Sequence, residues 1–360
     1  MLVLKDNVSD LEQLFSMNRK IILYGAGASC ELILQAYYGQ GLSERLSFIV
    51  DGNEELDGKE CVASENIMVK ILSLNHFIRE WQGRMEQFVM LMTPYHSLAF
   101  IPQLDEMKEL DGLSTYLFSM IVNKKMPETF PLRSLNQSVI PKKIHYIWIG
   151  GNALPEEDMR NIESWRRFCP DYEICLWNEE NYDFQGNRYV REAVANRQYM
   201  YATDYVRKDI LYRYGGIYLD TDVELLAPID DLLYNEAFIG IEDGGQLNSG
   251  SGLGAVAGYP LMKEMRDLYE DIAFIDENGK PNYHYNTYYE TKFMLERGFR
   301  LWNEYQNIGG MVCFPREVLM PEGVVGLPDT YTKRTLANHK INPYDKTERR
   351  KLLSRAAEKA

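Results

Sequence analysis

Apolar runs alternate with glycine turns and amphipathic stretches in the first third of the chain. The segment from Lys20 reads KIILYGAGASCELILQAYY, which is an apolar run, a glycine turn and a stretch with apolar residues at helical spacing. The later runs LSFIVDG and QFVMLMT predict further strands. Strands that alternate with helices indicate a parallel sheet with right-handed crossovers. We therefore predict a small α/β domain with a parallel sheet here.

A polar stretch with three prolines and four lysines, KKMPETFPLRSLNQSVIPKK, separates this region from a second patterned one and is typical of a linker. After it, KIHYIWIGG, YEICLWN, GGIYLDTDV, EAFIGIE and GSGLGAVAG predict strands, and Tyr199 to Arg213 predicts a helix between them. We predict four parts: a Rossmann-like module in 1–123, a linker in 124–143, a second α/β domain in 144–345 and a basic helix in 346–360.

Composition and charge narrow the functional classes. The chain has 360 residues and a formal net charge of −14, which argues against a nucleic-acid partner because phosphate binding needs a basic surface. No uncharged apolar run approaches the ~18 residues of a membrane-spanning helix. The five cysteines are scattered and form no C-x-x-C pair, which favours free thiols in a reducing compartment. We therefore expect a cytoplasmic protein.

The N-terminal glycine turn has the context of a nucleotide-binding fingerprint. Gly25 and Gly27 lie between a predicted strand and helix, where backbone N–H groups can receive a phosphate, and Asp51 ends the next strand, where a ribose-binding acid would lie. Cys30 replaces the third glycine. A nucleotide site at Gly25, Gly27 and Asp51 and a module without a ligand both stay open. The segment resembles the Rossmann-like module of bacterial sugar O-acyltransferases, which binds a nucleotide-sugar.

The stretch YMYATDYVRKDILYRYGGIYLDTDVELL carries the strongest chemical pattern. Asp204 and Arg207 are three positions apart on a predicted helix and so project from one face. After the double glycine, IYLDTDV alternates as a strand, which places Tyr218, Asp220 and Asp222 on one face. Two such carboxylates are hard oxygen ligands for a divalent cation on a diphosphate. A solvated acidic turn and a surface ion pair are the alternatives for the separate pieces, but their order favours a functional site.

Several segments of the second half together resemble the DXD sugar-binding glycosyltransferases of the OCH1-like and capsular-polysaccharide type (glycosyltransferase family 32). They are IPKKIHYIWIGG, ESWRRFCPDYEICLWNEENYD, ATDYVRKDILYRYGGIYLDTDVE and, more loosely, LNSGSGLGA. The resemblance implies a GT-A (Rossmann-like) fold, a nucleotide-sugar donor, Mn²⁺ or Mg²⁺, and retention of the anomeric configuration.

The resemblance also implies roles for individual residues. Trp148 would stack on the donor base, with a core aromatic as the alternative. Asp204 and Arg207 would hold the donor sugar and phosphates. Asp220 would contact ribose, sugar and a metal-bound water, and Asp222 would ligate the metal directly. Three further candidates complete the site: Tyr218 and Asn248 as donor contacts and His339 as another metal ligand, with a plain β-turn as the alternative for Asn248 and a surface polar residue for His339.

We therefore expect a metal-dependent retaining glycosyltransferase that moves a sugar from a nucleotide-sugar donor, with UDP preferred over GDP, to a saccharide or lipid-linked saccharide acceptor. Capsular or cell-surface polysaccharide synthesis is the expected setting. Nine basic against three acidic residues in 333–360 add the hypothesis of peripheral contact with the inner face of a membrane. The alternatives are a non-catalytic nucleotide-sugar-binding regulator and an oxidoreductase that uses the N-terminal module.

Overall fold

The computed structural model describes residues 2–64, 67–94, 96–124, 129–323 and 327–340. Within these residues, two seven-stranded sheets and one two-stranded sheet form the framework. No helix in the described part of the chain is long and apolar enough to cross a membrane.

The first large sheet belongs to the N-terminal domain. Its strands are β1 (Val3–Leu4), β2 (Lys20–Tyr24), β3 (Leu46–Asp51), β4 (Glu60–Ser64), β5 (Ile67–Ser73), β6 (Phe88–Met92) and β7 (Ser114–Leu117). They lie in the order β1-β7-β6-β2-β3-β5-β4, and every neighbouring pair is parallel except β4 with β5. The central strands β2 and β6 are apolar and buried on both faces, as expected of parallel strands covered by helices.

Within the described residues, four α-helices connect these strands and a fifth follows β7: α1 (Leu11–Phe15), α2 (Ala28–Tyr37), α3 (Leu74–Trp81), α4 (Ser97–Asp105) and α5 (Phe118–Val122). Helix α2 follows the glycine turn directly, and Gly27 is its N-cap. Helix α3 begins where the Ser73 hydroxyl accepts a hydrogen bond from the His76 N–H, which satisfies one of the free donors of the first turn.

The second large sheet belongs to the C-terminal domain. Its strands are β8 (Lys143–Ile147), β9 (Glu173–Trp177), β10 (Gly216–Tyr218), β12 (Ala237–Ile241), β13 (Leu247–Ala255), β14 (Gln306–Ile308) and β15 (Met311–Phe314). The order is β14-β15-β12-β13-β10-β8-β9, with β8 parallel to both of its neighbours and β13 antiparallel to both of its own. The small sheet pairs β11 (Val223–Leu225) with β16 (Ala337–His339).

The described part of the second domain has six α-helices: α6 (Glu156–Phe168), α7 (Arg188–Ala195), α8 (Tyr199–Tyr214), α9 (Pro260–Asp267), α10 (Asn286–Leu295) and α11 (Arg316–Leu319). Helix α8 is buried over most of its length and packs against β8, β10 and β13, which lie inside the sheet. Helix α10 contacts both β13 of its own domain and α2 of the N-terminal domain.

The predicted α/β class is confirmed, and the sheets lie on either side of the predicted linker. The linker boundaries differ in detail. Lys143, which we placed in the linker, is the first residue of β8. The described end of the linker is also attached to the second domain, because the N–H groups of Val139 and Ile140 donate to Leu233 O. The predicted basic helix in 346–360 lies outside the described residues.

Candidate active site

The double glycine between α8 and β10 sets the geometry of the site. Gly215 has φ 63° and ψ −175°, a conformation that is almost restricted to glycine. A Cβ at this position would lie 2.8 Å from Ala257 N, and one at Gly216 would lie 2.7 Å from His145 Nε2. The chain can therefore turn from the helix into the central strand within two residues.

The D-x-D segment lies in a turn. We predicted that a strand continues through Asp222, but β10 ends at Tyr218. Asp220 N still donates to Gly250 O of β13, but Val223 N turns back to donate to Asp220 O, so the chain closes a turn here. The predicted strand was therefore wrong for Asp220 and Asp222, although the turn still brings their two carboxylates together. The Tyr218 hydroxyl still donates to Asp220 Oδ1 at 2.7 Å, so these two side chains do meet.

Arg207 connects the helix to the turn. Its Nη2 lies 3.3 Å from Asp204 Oδ1 and 3.4 Å from Asp220 Oδ1, and its Nη1 donates to Ser249 Oγ at 3.2 Å. Its guanidinium also stands over the Tyr218 ring, 4.7 Å from the centroid. Burial raises the pKa of Asp204 to about 7, against the opposing charge of Arg207. The predicted one-face pair of Asp204 and Arg207 thus forms a buried ion pair that reaches the D-x-D turn.

Asp220, Asp222 and His339 form a cluster suited to a divalent cation. One ligand atom of each lies within 4.8 Å of the others, and His339 Nε2 is 3.2 Å from Asp222 Oδ1. The histidine arrives from β16, which pairs with β11 immediately after the turn. Two carboxylates and one imidazole fit a first-row divalent ion. His339 is therefore not the plain surface residue that was its alternative interpretation.

The cluster opens into a cavity of about 740 Å³. Asn248 lines it, donating through Nδ2 to Glu242 Oε2, while its Oδ1 accepts from Gly250 N. Burial, with Asp243 beside it, raises the pKa of the Glu242 carboxyl to about 8. Arg207, Asp220, Asp222 and His339 also line this cavity. Asp204 and Tyr218 are buried and are not among the lining residues.

Trp148 is a second predicted donor residue that does not line this cavity. It follows β8, and its indole Nε1 donates to Asn152 O at 2.6 Å. Trp148 is not among the residues that line the cavity around Asp220. Base stacking by Trp148 stays a prediction.

The N-terminal glycine turn is held by the protein's own contacts. Asp51 accepts hydrogen bonds from Ala26 N and Asn53 N, one to each carboxylate oxygen. Gly25 has a positive φ of 97°, and a Cβ there would lie 2.8 Å from the Pro94 ring. Packing and turn formation thus account for both residues. This is evidence against Asp51 as a ribose contact, which the oxidoreductase alternative needs. Gly27 differs, because it lines the cavity and has open space around it.

Several lining residues were missed from the sequence. They are Glu242, Gln246, Met320 and the segment from Tyr283 to Tyr288. The only signal in the sequence was the density of aromatic residues in NYHYNTYY. Their position depends on long-range packing, so spacing alone did not identify them.

Comparison with known proteins identifies the central part of the site. Residues 155–239 match the family model described as "Glycosyltransferase sugar-binding region containing DXD motif". This part of the chain is similar to the sugar-binding region of DXD glycosyltransferases. The match covers α8, the double glycine and the D-x-D turn. The match supports the predicted class of enzyme, a glycosyltransferase, for residues 155–239.

Curated relatives agree with this class. Inositol phosphoceramide mannosyltransferase 3 of Schizosaccharomyces pombe is 34% identical over 155 residues, which are 42% of this chain and 41% of that protein. Inositol phosphoceramide mannosyltransferase 1 of the same organism is 35% identical over 28% of this chain and 33% of that protein. The chain thus spans between one third and about two fifths of these relatives. A solved chain titled PaToxG Glycosyltransferase aligns with 36% of this chain and 60% of its own, at 20% identity and a TM-score of 0.30.

Proposed function

We propose that the protein is a metal-dependent glycosyltransferase that moves a sugar from a nucleotide-sugar donor to a hydroxyl of a saccharide or lipid-linked saccharide. The observation that carries the proposal is the convergence of Asp220, Asp222 and His339 with Arg207 at one cavity. Arg207 and the two aspartates lie inside the matched region 155–239, and His339 reaches the cavity from β16, outside that region. The arrangement combines a cation site with a fixed positive charge, which are the two elements that a departing diphosphate needs.

In the proposed reaction, the acceptor hydroxyl oxygen forms a bond to the anomeric carbon while the bond from that carbon to the diphosphate oxygen breaks. The nucleoside diphosphate leaves with the electron pair, and the hydroxyl proton passes to it. Attack on the same face retains the anomeric configuration. A cation at the cluster would offset the charge of the diphosphate. Arg207 orients Asp220 and presents a positive charge that needs no reorganisation, because Asp204 and Ser249 already hold it.

The set of protein ligands, two carboxylates and one imidazole, favours Mn²⁺ over Mg²⁺ as the bound ion. Carboxylate oxygens suit both, whereas Mg²⁺ prefers oxygen ligands alone and an imidazole suits a transition metal. His339 therefore makes Mn²⁺ the ion that we propose.

The donor sugar and the biological setting are further parts of this proposal. Two of the relatives are named as mannosyltransferases, which adds GDP-mannose to the UDP-sugars that we expected. We propose the OCH1-like type within this class, acting in the cytoplasm in the synthesis of a cell-surface saccharide. The predicted membrane contact of the basic C-terminus falls mainly outside the described residues and stays a prediction.

A screen of UDP- and GDP-sugars with the full chain tests the function. We expect Mn²⁺-dependent release of the nucleoside diphosphate, its loss in EDTA, and a decrease of ~100-fold or more in Asp222→Asn, because that variant removes a charged metal ligand. Asp171→Asn is the matched control, since Asp171 forms an exposed ion pair with Lys142. Donor binding without any release by the wild type would favour the non-catalytic regulator. Full activity in EDTA would contradict the metal site.

A further inference from the structure

The cavity of the candidate active site crosses the boundary between the two domains. On one side it is lined by the D-x-D turn, His339 and the segment Tyr283–Tyr288 of the C-terminal domain. The N-terminal domain supplies the rest of the wall, which consists of Gly27, Ala28 and Ser29 at the start of α2 and Thr93, Pro94 and His96 after β6. The glycine turn and the D-x-D turn therefore face a common space. Small-molecule sites occur preferentially at such domain interfaces.

Specific contacts hold this wall in place. Gln246, which lines the cavity, donates through Nε2 to Ser29 Oγ at 3.3 Å. The Tyr288 hydroxyl donates to Glu31 Oε2 at 2.5 Å, and Tyr288 belongs to the same apolar cluster as Leu32 and Ile33 of α2. The first turn of α2 is thus fixed against α10. A wall with fixed polar groups can recognise a ligand at a small cost in conformational entropy.

The C-terminal side of the same space carries exposed aromatic and apolar surface. Tyr283 and Tyr285 are 56% and 55% exposed, and Met200 beside them is 55% exposed. The Tyr285 ring lies parallel to the ring of Tyr201, with 14° between their planes, so its other face is presented from a rigid support. Aromatic rings with a polar tip offer a large apolar face together with a hydrogen-bonding group.

A pyranose ring matches these two walls, because its C–H faces are apolar and its hydroxyls lie around the rim. We propose that the sugar ring of the acceptor binds between the Tyr283–Tyr285 face and the Gly27–Ser29 turn, so that the N-terminal domain forms one wall of the acceptor site. This assignment rests on the proposed function. The Ser29 hydroxyl and the N–H groups at the start of α2 would face the sugar hydroxyl oxygens, since a helix N-terminus favours partial negative charge.

Gly27 offers a direct test because its backbone is extended, with φ −89°, and a Cβ there meets nothing within 4 Å. Gly27→Trp should therefore fill the space between the walls without straining the fold. Gly39→Trp is the matched control: Gly39 is exposed in the same domain, also has open space, and is not among the lining residues. Tyr285→Ala removes the opposite wall, and Tyr331→Ala is its control because Tyr331 is 50% exposed and lies outside the lining.

The assay uses the full chain, the best donor from the nucleotide-sugar screen, Mn²⁺, and methyl pyranosides of several configurations as acceptor probes. Release of the nucleoside diphosphate is measured with and without each probe. We expect a methyl pyranoside to accelerate release by the wild type. Gly27→Trp and Tyr285→Ala should each raise the half-saturating probe concentration at least tenfold, whereas the two controls should stay within twofold.

Three results would overturn the acceptor site. The first is a wild type that hydrolyses the donor but responds to none of the pyranosides. The second is an unchanged half-saturating concentration in both variants. The third is a parallel loss of hydrolysis without acceptor and of transfer, which would assign the wall to the donor. A wild type that releases nucleotide from no donor would instead overturn the proposed function itself, so the two failures are distinguishable.

Discussion

His339 Nε2 lies 3.2 Å from Asp222 Oδ1, because antiparallel pairing sets His339 opposite Val223 across β16 and β11. Burial alone would lower the pKa of His339, but Asp222 and then Asp220 outweigh it and raise the pKa to about 9. The site therefore balances two carboxylates with one protonated imidazole. A cation that binds there replaces this proton, so metal binding and proton release are linked.

This relationship predicts that His339→Ala weakens Mn²⁺ binding by about tenfold or more, because one of three protein ligands is lost. Free Mn²⁺ measured by electron paramagnetic resonance during a titration gives the dissociation constant directly, without any substrate. His76→Ala is the control, since His76 pairs with Asp57 in the N-terminal domain. Equal dissociation constants for wild type and His339→Ala would exclude His339 as a ligand.

Arg207 is predicted to be irreplaceable by lysine. Its guanidinium reaches Asp204, Asp220 and Ser249 from a single buried position, and an ammonium group cannot reproduce these forked contacts. Arg207→Lys should lower donor turnover by about 100-fold, as expected when one preorganised positive donor is lost. Arg188→Lys is the control, because Arg188 forms an exposed ion pair with Glu192 on α7. Turnover within threefold of the wild type in Arg207→Lys would contradict the role.

The sequence predicted the helix and its chemistry well because these depend on local spacing. The D-x-x-R pair and the double glycine lie on one continuous segment, and α8 runs one residue beyond the predicted Arg213. The strand predicted through Asp222 ends early: after Tyr218, Asp220 N still donates to Gly250 O of β13, but Val223 N donates back to Asp220 O and closes a turn. Alternation describes side-chain direction only as long as neighbouring strands hold the backbone in the sheet.

Sequence patterns could not predict the parts of the site that come from residues far apart in the chain. The position of His339 depends on the pairing of β16 with β11, and the segment LANHKINPY contains no pattern that specifies β11 as the partner strand. The shared cavity depends on how α2 packs against α10, which is set by contacts such as that of Tyr288 with Glu31. The aromatic density near Tyr283 was visible in the sequence, but its orientation toward the D-x-D turn required the assembled domains.

The double glycine should be intolerant of a single methyl group. Gly216 has φ 110°, and its Cβ would lie 2.7 Å from His145 Nε2 and 3.0 Å from Lys143 O. Gly216→Ala combines backbone strain with overpacking, for an expected loss of about 2–4 kcal/mol in the free energy of unfolding. Urea unfolding measures this loss, and Gly39→Ala, in open space, should stay within about 0.5 kcal/mol of the wild type. Equal stability of the two variants would show that the turn relaxes.

His145 should make stability depend on pH. Its Nε2 bonds to Gly215 O and its Nδ1 accepts from Trp177 Nε1 at 3.1 Å, which holds the ring neutral. Burial lowers its pKa from 6.5 to about 4. Between these values the unfolded chain binds the proton and the folded chain does not, so the stabilisation is complete above about pH 6.5 and is lost as the pH falls toward 4.

The size of this effect follows from the pKa difference. From pH 7.5 to pH 5, His145 should account for about 2 kcal/mol of the decrease in the free energy of unfolding. The decrease measured by urea unfolding should therefore be about 2 kcal/mol smaller in His145→Gln, whose side chain does not titrate. Other groups, including His339 with its opposite pH dependence, are common to both proteins and cancel in the comparison. An identical decrease in both would mean that His145 is protonated as easily in the folded protein as in the unfolded chain.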